Sequence, residues 1–168
     1  HIGVNVSIKK LQDNHASVLL AGGAQKPRDL PIKGRSLKGI HFAMDFLPLQ
    51  NKRLEADKIP DAEFITAKDK NVLIIGGGDT GSDCLGTSLR QGAKNIVQLE
   101  LLQAPPEIRA DNNPWPQWPL IYRVSSSHEE AVHEVRDFSV MTKKFMGKNG
   151  GGSIVNISSM GALNGSGT

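Results

Sequence analysis

The stretch from residue 71 to residue 101 constrains this chain most. Asn71-Val-Leu-Ile-Ile75 is a short β-branched run with Lys68-Asp-Lys70 before it and glycine after it. It leads directly into Gly76-Gly77-Gly78-Asp79-Thr80-Gly81, a G-x-G-x-x-G at Gly76, Gly78 and Gly81. Each glycine has its own physical reason. The first permits a tight strand-to-helix turn, the second lets backbone approach a pyrophosphate, and the third lets the helix pack closely on the strand. The spacing predicts a helix over about 80–91 whose free N–H groups point at the phosphates. Gly92 would then end it. A second strand over 95–101 follows at the distance a βαβ unit needs, and Glu100 stands 19 residues after Gly81. An acidic side chain there accepts the ribose 2′-hydroxyl. It also favours NADH over NADPH, because a 2′-phosphate would meet a carboxylate. The competing readings are a purely structural glycine turn and, for Glu100, an exposed charge at a strand end.

The rest of the chain is read around that unit. Ile8 and Leu11 are spaced for a short amphipathic helix over 7–12. The apolar run 17–21 ends in Gly22-Gly23 and reads as a buried parallel strand. Residues 25–40, with Pro27, Pro31, Gly34 and Gly39, read as an extended connection. A helix is expected over 41–49, followed by a polar stretch around Pro60. The segment 103–124 holds five prolines and both tryptophans, so it cannot be regular structure. Ser127-His-Glu-Glu130 has the form of a capping box, and a helix is expected from there to about Met146. A final strand is expected over 153–157. Both ends read as the interior of a larger protein. The fold class is therefore α/β: a Rossmann-like, mostly parallel sheet with helices on both faces and the glycine loop at its switch point.

Composition narrows the function classes. A formal charge of +3, with scattered lysines, gives no footprint for nucleic acid. The single Cys84 excludes an intramolecular disulfide and any zinc site built on several cysteines. No apolar run approaches the roughly 20 residues that cross a bilayer, so no membrane role is expected. A cytoplasmic protein is the expectation. Cys84, early in the helix after the glycine loop, reads as a small core residue rather than a reactive thiol. His41, His128 and His133 show no metal-ligand spacing, and no metal is expected. His128, beside Glu129 and Glu130, reads as capping and surface chemistry. Trp115 and Trp118 read as proline-braced packing, with cofactor-ring contact as the alternative. Lys143 and Lys144 read as complements to a helix C-terminus.

Val72-Leu-Ile-Ile-Gly-Gly-Gly-Asp-Thr-Gly-Ser-Asp-Cys-Leu-Gly-Thr-Ser-Leu-Arg90 resembles the pyridine-nucleotide motif of the glutamate synthase small (β) subunit. So does Asn113-Pro-Trp-Pro-Gln-Trp-Pro119, an unusual string. Lys26-Pro-Arg-Asp-Leu-Pro31, Gly39-Ile-His-Phe-Ala-Met-Asp-Phe46 and Ser127-His-Glu-Glu130 occur in the family's order, and the similarity runs from about Gly3 to Gly150. The resemblance implies a flavoprotein that takes hydride from NAD(P)H onto FAD. Its electrons then pass through iron–sulfur clusters to a large subunit that makes glutamate. It implies that Gly76, Gly77, Gly78, Asp79, Thr80 and Gly81 line the NAD(P)H pyrophosphate. Gly23 and Ala24 resemble part of a turn that approaches FAD, although Gly22 or Gly23 stands where threonine is usual. By the same resemblance residues 1–40 are a remnant of the FAD-binding domain and 41–150 the NAD(P)H-binding domain. The family's other FAD motifs and its cysteine-rich cluster domain are not in this sequence, so an incomplete enzyme with poor FAD binding is expected.

Residues 151–168 do not continue that pattern. Gly151-Gly-Ser-Ile-Val-Asn-Ile-Ser-Ser-Met-Gly161 resembles a short-chain dehydrogenase strand and its serine segment, with Ser159 at the serine position. That chemistry needs a Tyr-x-x-x-Lys pair, and Tyr122 is followed four places later by Ser126. Two further readings therefore stand beside the first: a short-chain dehydrogenase-like reductase, and a non-catalytic Rossmann-like domain whose Trp/Pro loop serves subunit contact.

Overall fold

A computed structural model describes residues 1–23, 26–131 and 135–147, and the backbone of 154–155. Its elements are α1 (Ile8–Asn14), β1 (Ile40–His41), α2 (Ala43–Leu54), β2 (Asn71–Ile75), α3 (Asp79–Arg90), β3 (Asn95–Leu99), α4 (Ser126–Glu129), β4 (Arg136–Asp137) and β5 (Ile154–Val155). Every strand pairing among the described residues is parallel. Asn71 to Ile75 of β2 lie opposite Asn95 to Leu99 of β3 in register, Gln98 and Leu99 lie opposite Arg136 and Asp137, and β1 pairs with β5. Parallel neighbours need a crossover, and α3 supplies it between β2 and β3. The fold is α/β with a Rossmann-like, mostly parallel sheet.

The core sits between that sheet and the helices. Val72 and Ile74 alternate inward from β2, and Ile96 does the same from β3. Cys84 and Leu85 of α3 and Ala43 and Phe46 of α2 close over them, with Ala67 between. Of these, Phe46, Ala67, Ile74, Leu85 and Cys84 are fully buried. Cys84 is thus a packed core residue, and burial, helped by Asp83, pushes its thiol pKa far up. Helix α3 stops in a Schellman arrangement. Ala93 N–H donates to Ser88 O at 3.0 Å and Gly92 N–H donates to Leu89 O at 2.9 Å, with Gly92 at φ +83°.

Several expectations are corrected. Residues 17–20 form no strand, and Leu19 and Leu20 are 89% and 86% exposed. A parallel strand needs a neighbour to bond, and among the described residues none pairs with this run. The helix expected over 41–49 begins two residues later, because Ile40 and His41 pair with β5, and it continues to Leu54 through Pro48. The helix expected from 127 to 146 reduces to α4. Its capping box is formed by Ser125 and His128, not by Ser127 and Glu130. Beyond it, Gln98 N–H donates to Val135 O at 2.6 Å and Glu100 N–H to Asp137 O at 2.7 Å. The open edge of β3 thereby takes a strand from a segment that local pattern assigned to helix. Lys143 and Lys144 consequently end no helix. The final strand appears as β5 over Ile154–Val155, while His133, Ser159 and the rest of 156–168 lie outside the described residues. Segment 103–124 is irregular, as its prolines require.

Candidate dinucleotide-binding site

The glycine loop joins β2 to α3, and its three glycines meet three different constraints. Gly76 has φ +116°, a conformation that side chains resist, so the chain can turn sharply out of β2. Gly78 is the N-cap residue, with extended backbone. Gly81 faces the strand: a Cβ there would lie 2.5 Å from Gly76 O and 2.7 Å from Gln98 Nε2. The close helix–strand approach expected of the third glycine is present. The first rung of α3 is Ser82 N–H donating to Gly78 O at 3.1 Å. The N–H groups of Asp79, Thr80 and Gly81 therefore precede the ladder, as at any helix N-terminus. The loop and this helix end form a cradle that suits a pyrophosphate, because α3 runs 12 residues and its dipole favours negative charge there. Asp79, in the first turn, shares that favourable field with any bound anion.

Glu100 follows β3 and comes to the same place. Its carboxylate occupies the space that a Gly77 side chain would enter, with Cδ 3.2 Å from where a Gly77 Cβ would be. Its Oε1 accepts from Leu102 N–H at 3.2 Å, while its backbone is held by Asp137 O and by Val140 N–H, the latter at 3.0 Å. Tertiary structure thus brings Gly76, Gly77, Gly78, Asp79, Thr80, Gly81 and Glu100 to one lip of the sheet. Gly23 is exposed, at φ +68°, and among the described residues no hydrogen bond ties it to this loop. Ala24 lies outside the described residues.

Sequence reasoning missed Gln98. The side chain is fully buried, and both ends of its amide are used. Its Nε2 donates to Gly76 O at 2.9 Å, and its Oε1 lies 2.9 Å from His128 Nε2. With the amide so oriented, His128 carries its proton on Nε2, and Nδ1 faces Ser125 Oγ at 2.7 Å. Helix α4 is thereby tied through one buried amide to the first glycine of the loop. The signal was available: Gln98 shares the inward alternation of Ile96. His128 does cap a helix, as its sequence context suggested, but it also reaches into the core. Trp115 and Trp118 are 83% and 72% exposed on a loop pinned from within. Arg109 donates to Asn113 O and Gln117 O, each at 2.9 Å, Asn113 Nδ2 donates to Trp118 O at 3.1 Å, and Arg123 stacks on Trp118.

Among the described residues no cluster of side chains could hold a metal ion, and no helix is long and apolar enough to cross a membrane. No family model matches the chain. Curated relatives do. The chain is 51% identical over 153 residues to the protein named glutamate synthase [NADPH] small chain from Mycobacterium tuberculosis, covering 89% of this chain. It is 42% identical over 154 residues to the protein of the same name from Bacillus subtilis. It is also 49% identical over 145 residues to glutamate synthase [NADH] of Schizosaccharomyces pombe, covering 84% of this chain and 7% of that protein. The chain spans about a third (31%) of the length of the two bacterial relatives. Over the span they share, this chain is similar in sequence to the glutamate synthase small chains and corresponds to part of their length.

Proposed function

We propose that this chain is the NAD(P)H-binding part of a glutamate synthase small-chain-type flavin oxidoreductase. The observation that carries the reading is the convergence of the glycine loop, the open end of α3 and the Glu100 carboxylate at one lip of a parallel sheet. The loop 76–81 takes the pyrophosphate on backbone N–H groups, and Glu100 takes the ribose hydroxyls. A reduced nicotinamide supplies a hydride, which a flavin held by another part of the protein would accept. The residues of this chain bind and orient; the redox chemistry belongs to the cofactors. In this reading 41–150 is the nucleotide domain and 1–40, with Gly23 and Ala24, belongs with the FAD-binding domain. Reducing equivalents leave toward a large glutamate synthase subunit or domain and serve glutamate synthesis. NADH is favoured over NADPH through Glu100, although relatives carry both nucleotides in their names.

Isothermal titration with NADH, NADPH and FAD tests this. Micromolar binding of a reduced nucleotide is expected, together with loss of at least about tenfold on Gly78→Val, where a side chain blocks the pyrophosphate. Heat from none of the three would refute it. A second reading, a contact role for the Trp/Pro loop, is favoured only by the exposure of Trp115 and Trp118 on a fixed frame, since such aromatics anchor interfaces. Unchanged nucleotide binding in a Trp115→Ala, Trp118→Ala variant that no longer assembles would support both roles at once.

A further inference from the structure

Gly77 occupies the variable position between the first two motif glycines, and nothing in the motif's logic requires glycine there. Its backbone does not require it either, because Gly77 is absent from the positive-φ residues. What excludes a side chain is Glu100. A Cβ on Gly77 would meet Glu100 Oε2, with Glu100 Cδ at 3.2 Å and Cγ at 3.3 Å. The atoms in the way are the end of one flexible side chain, while the Glu100 backbone is held on both sides by hydrogen bonds to Asp137 and Val140. By contrast, a Cβ on Gly81 would meet the backbone oxygen of Gly76. Substitution at 77 therefore moves a carboxylate, where substitution at 81 moves the loop.

We infer that Gly77 is a specificity-determining residue. By lacking a side chain it lets the Glu100 carboxylate lie over the glycine loop, where it selects a ribose with a free 2′-hydroxyl over one with a 2′-phosphate. This rests on the proposed nucleotide-binding role and adds the residue that sets how Glu100 is presented. A methyl group at 77 swings the carboxylate off the loop, away from the ribose, and relaxes discrimination between the two nucleotides.

The test measures dissociation constants for NADH and NADPH, by quenching or enhancement of nucleotide fluorescence, on the full chain. Four proteins are compared: wild type, Gly77→Ala, Glu100→Ala and the double variant. In wild type, NADPH should bind more weakly than NADH, and equal or tighter NADPH binding overturns the inference. Gly77→Ala should lower the NADPH-to-NADH ratio of dissociation constants by about three- to tenfold. In the Glu100→Ala background the same substitution should leave the ratio unchanged, because the displaced atoms are gone. If Gly77→Ala alone is too unstable to titrate, recovery of its thermal midpoint in the double variant shows the same crowding. A ratio unmoved by Gly77→Ala, or moved equally in both backgrounds, overturns the inference while wild-type binding upholds the functional reading. Absence of wild-type binding to either nucleotide overturns both.

Discussion

Two buried polar side chains respond to removal in opposite ways. Gln98 spends both ends of its amide inside the protein, on Gly76 O and on His128 Nε2. Gln98→Leu leaves two polar groups without their partner and should cost about 2–4 kcal/mol, read as a lower urea midpoint. Ser88, fully buried in α3, has an Oγ with no hydrogen-bond partner among the described residues. Ser88→Ala removes an unsatisfied hydroxyl and improves helix propensity, so stability should rise by about 0.5–1.5 kcal/mol. A drop would mean that Ser88 Oγ is satisfied. His41 supplies the pH dependence. It is half-buried on β1 and borders a small cavity with Phe64 and Val72. Burial lowers its pKa from 6.5; Asp45 opposes the shift, and Lys70 and Arg35 add to it. The folded state therefore holds the neutral ring, and the unfolded state binds more protons between the lowered value and 6.5. Stability from this group is complete above pH 6.5 and is lost as pH falls through the lowered folded value. Thermal midpoints from about pH 5 to pH 8 should fall less steeply on the acid side in His41→Asn than in wild type. Equal slopes would sink the assignment.

At the scale of elements, the clean case is the end of α3. Gly92 sits at φ +83°, and a Cβ there would have nothing within 4 Å. Gly92→Ala should thus cost only the conformational penalty of a left-handed residue, about 1 kcal/mol, with nucleotide affinity untouched. A loss several times larger would show that residue 92 packs against something. The same element was legible in advance, because β-branched flanks, motif glycines and a C-terminal glycine are local signals. β2 was read at its observed residues, and α3 and β3 within a residue or two. The segment after α4 was not legible. Val135, Asp137 and Val140 bond the edge of β3 and the backbone of Glu100, and that edge is contributed by residues 38 positions before their β4 partners, Gln98 opposite Arg136 and Leu99 opposite Asp137. A helical reading had no way to include that partner. The run 17–21 failed in the converse way: apolar composition suits a strand, but a strand also requires a neighbour.

Across the whole molecule, the two tryptophans lie on the surface of the Pro-rich loop, not in the core. Their emission should sit at the water-exposed, long-wavelength limit and be readily quenched by iodide. Urea unfolding should shift it little, leaving circular dichroism to report the transition. Blue-shifted emission lost in urea would show that the loop is covered. The sequence by itself determined the βαβ unit, the glycine loop, the core role of Cys84 and the resemblance to glutamate synthase small chains, since each rests on residue types at fixed local spacing. Only the tertiary structure decided that Glu100 lies over Gly77, that Gln98 ties Gly76 to His128, and that 135–137 is a strand. Those facts depend on parallel pairing and side-chain placement between distant segments. Local periodicity carries no information about which segments become neighbours.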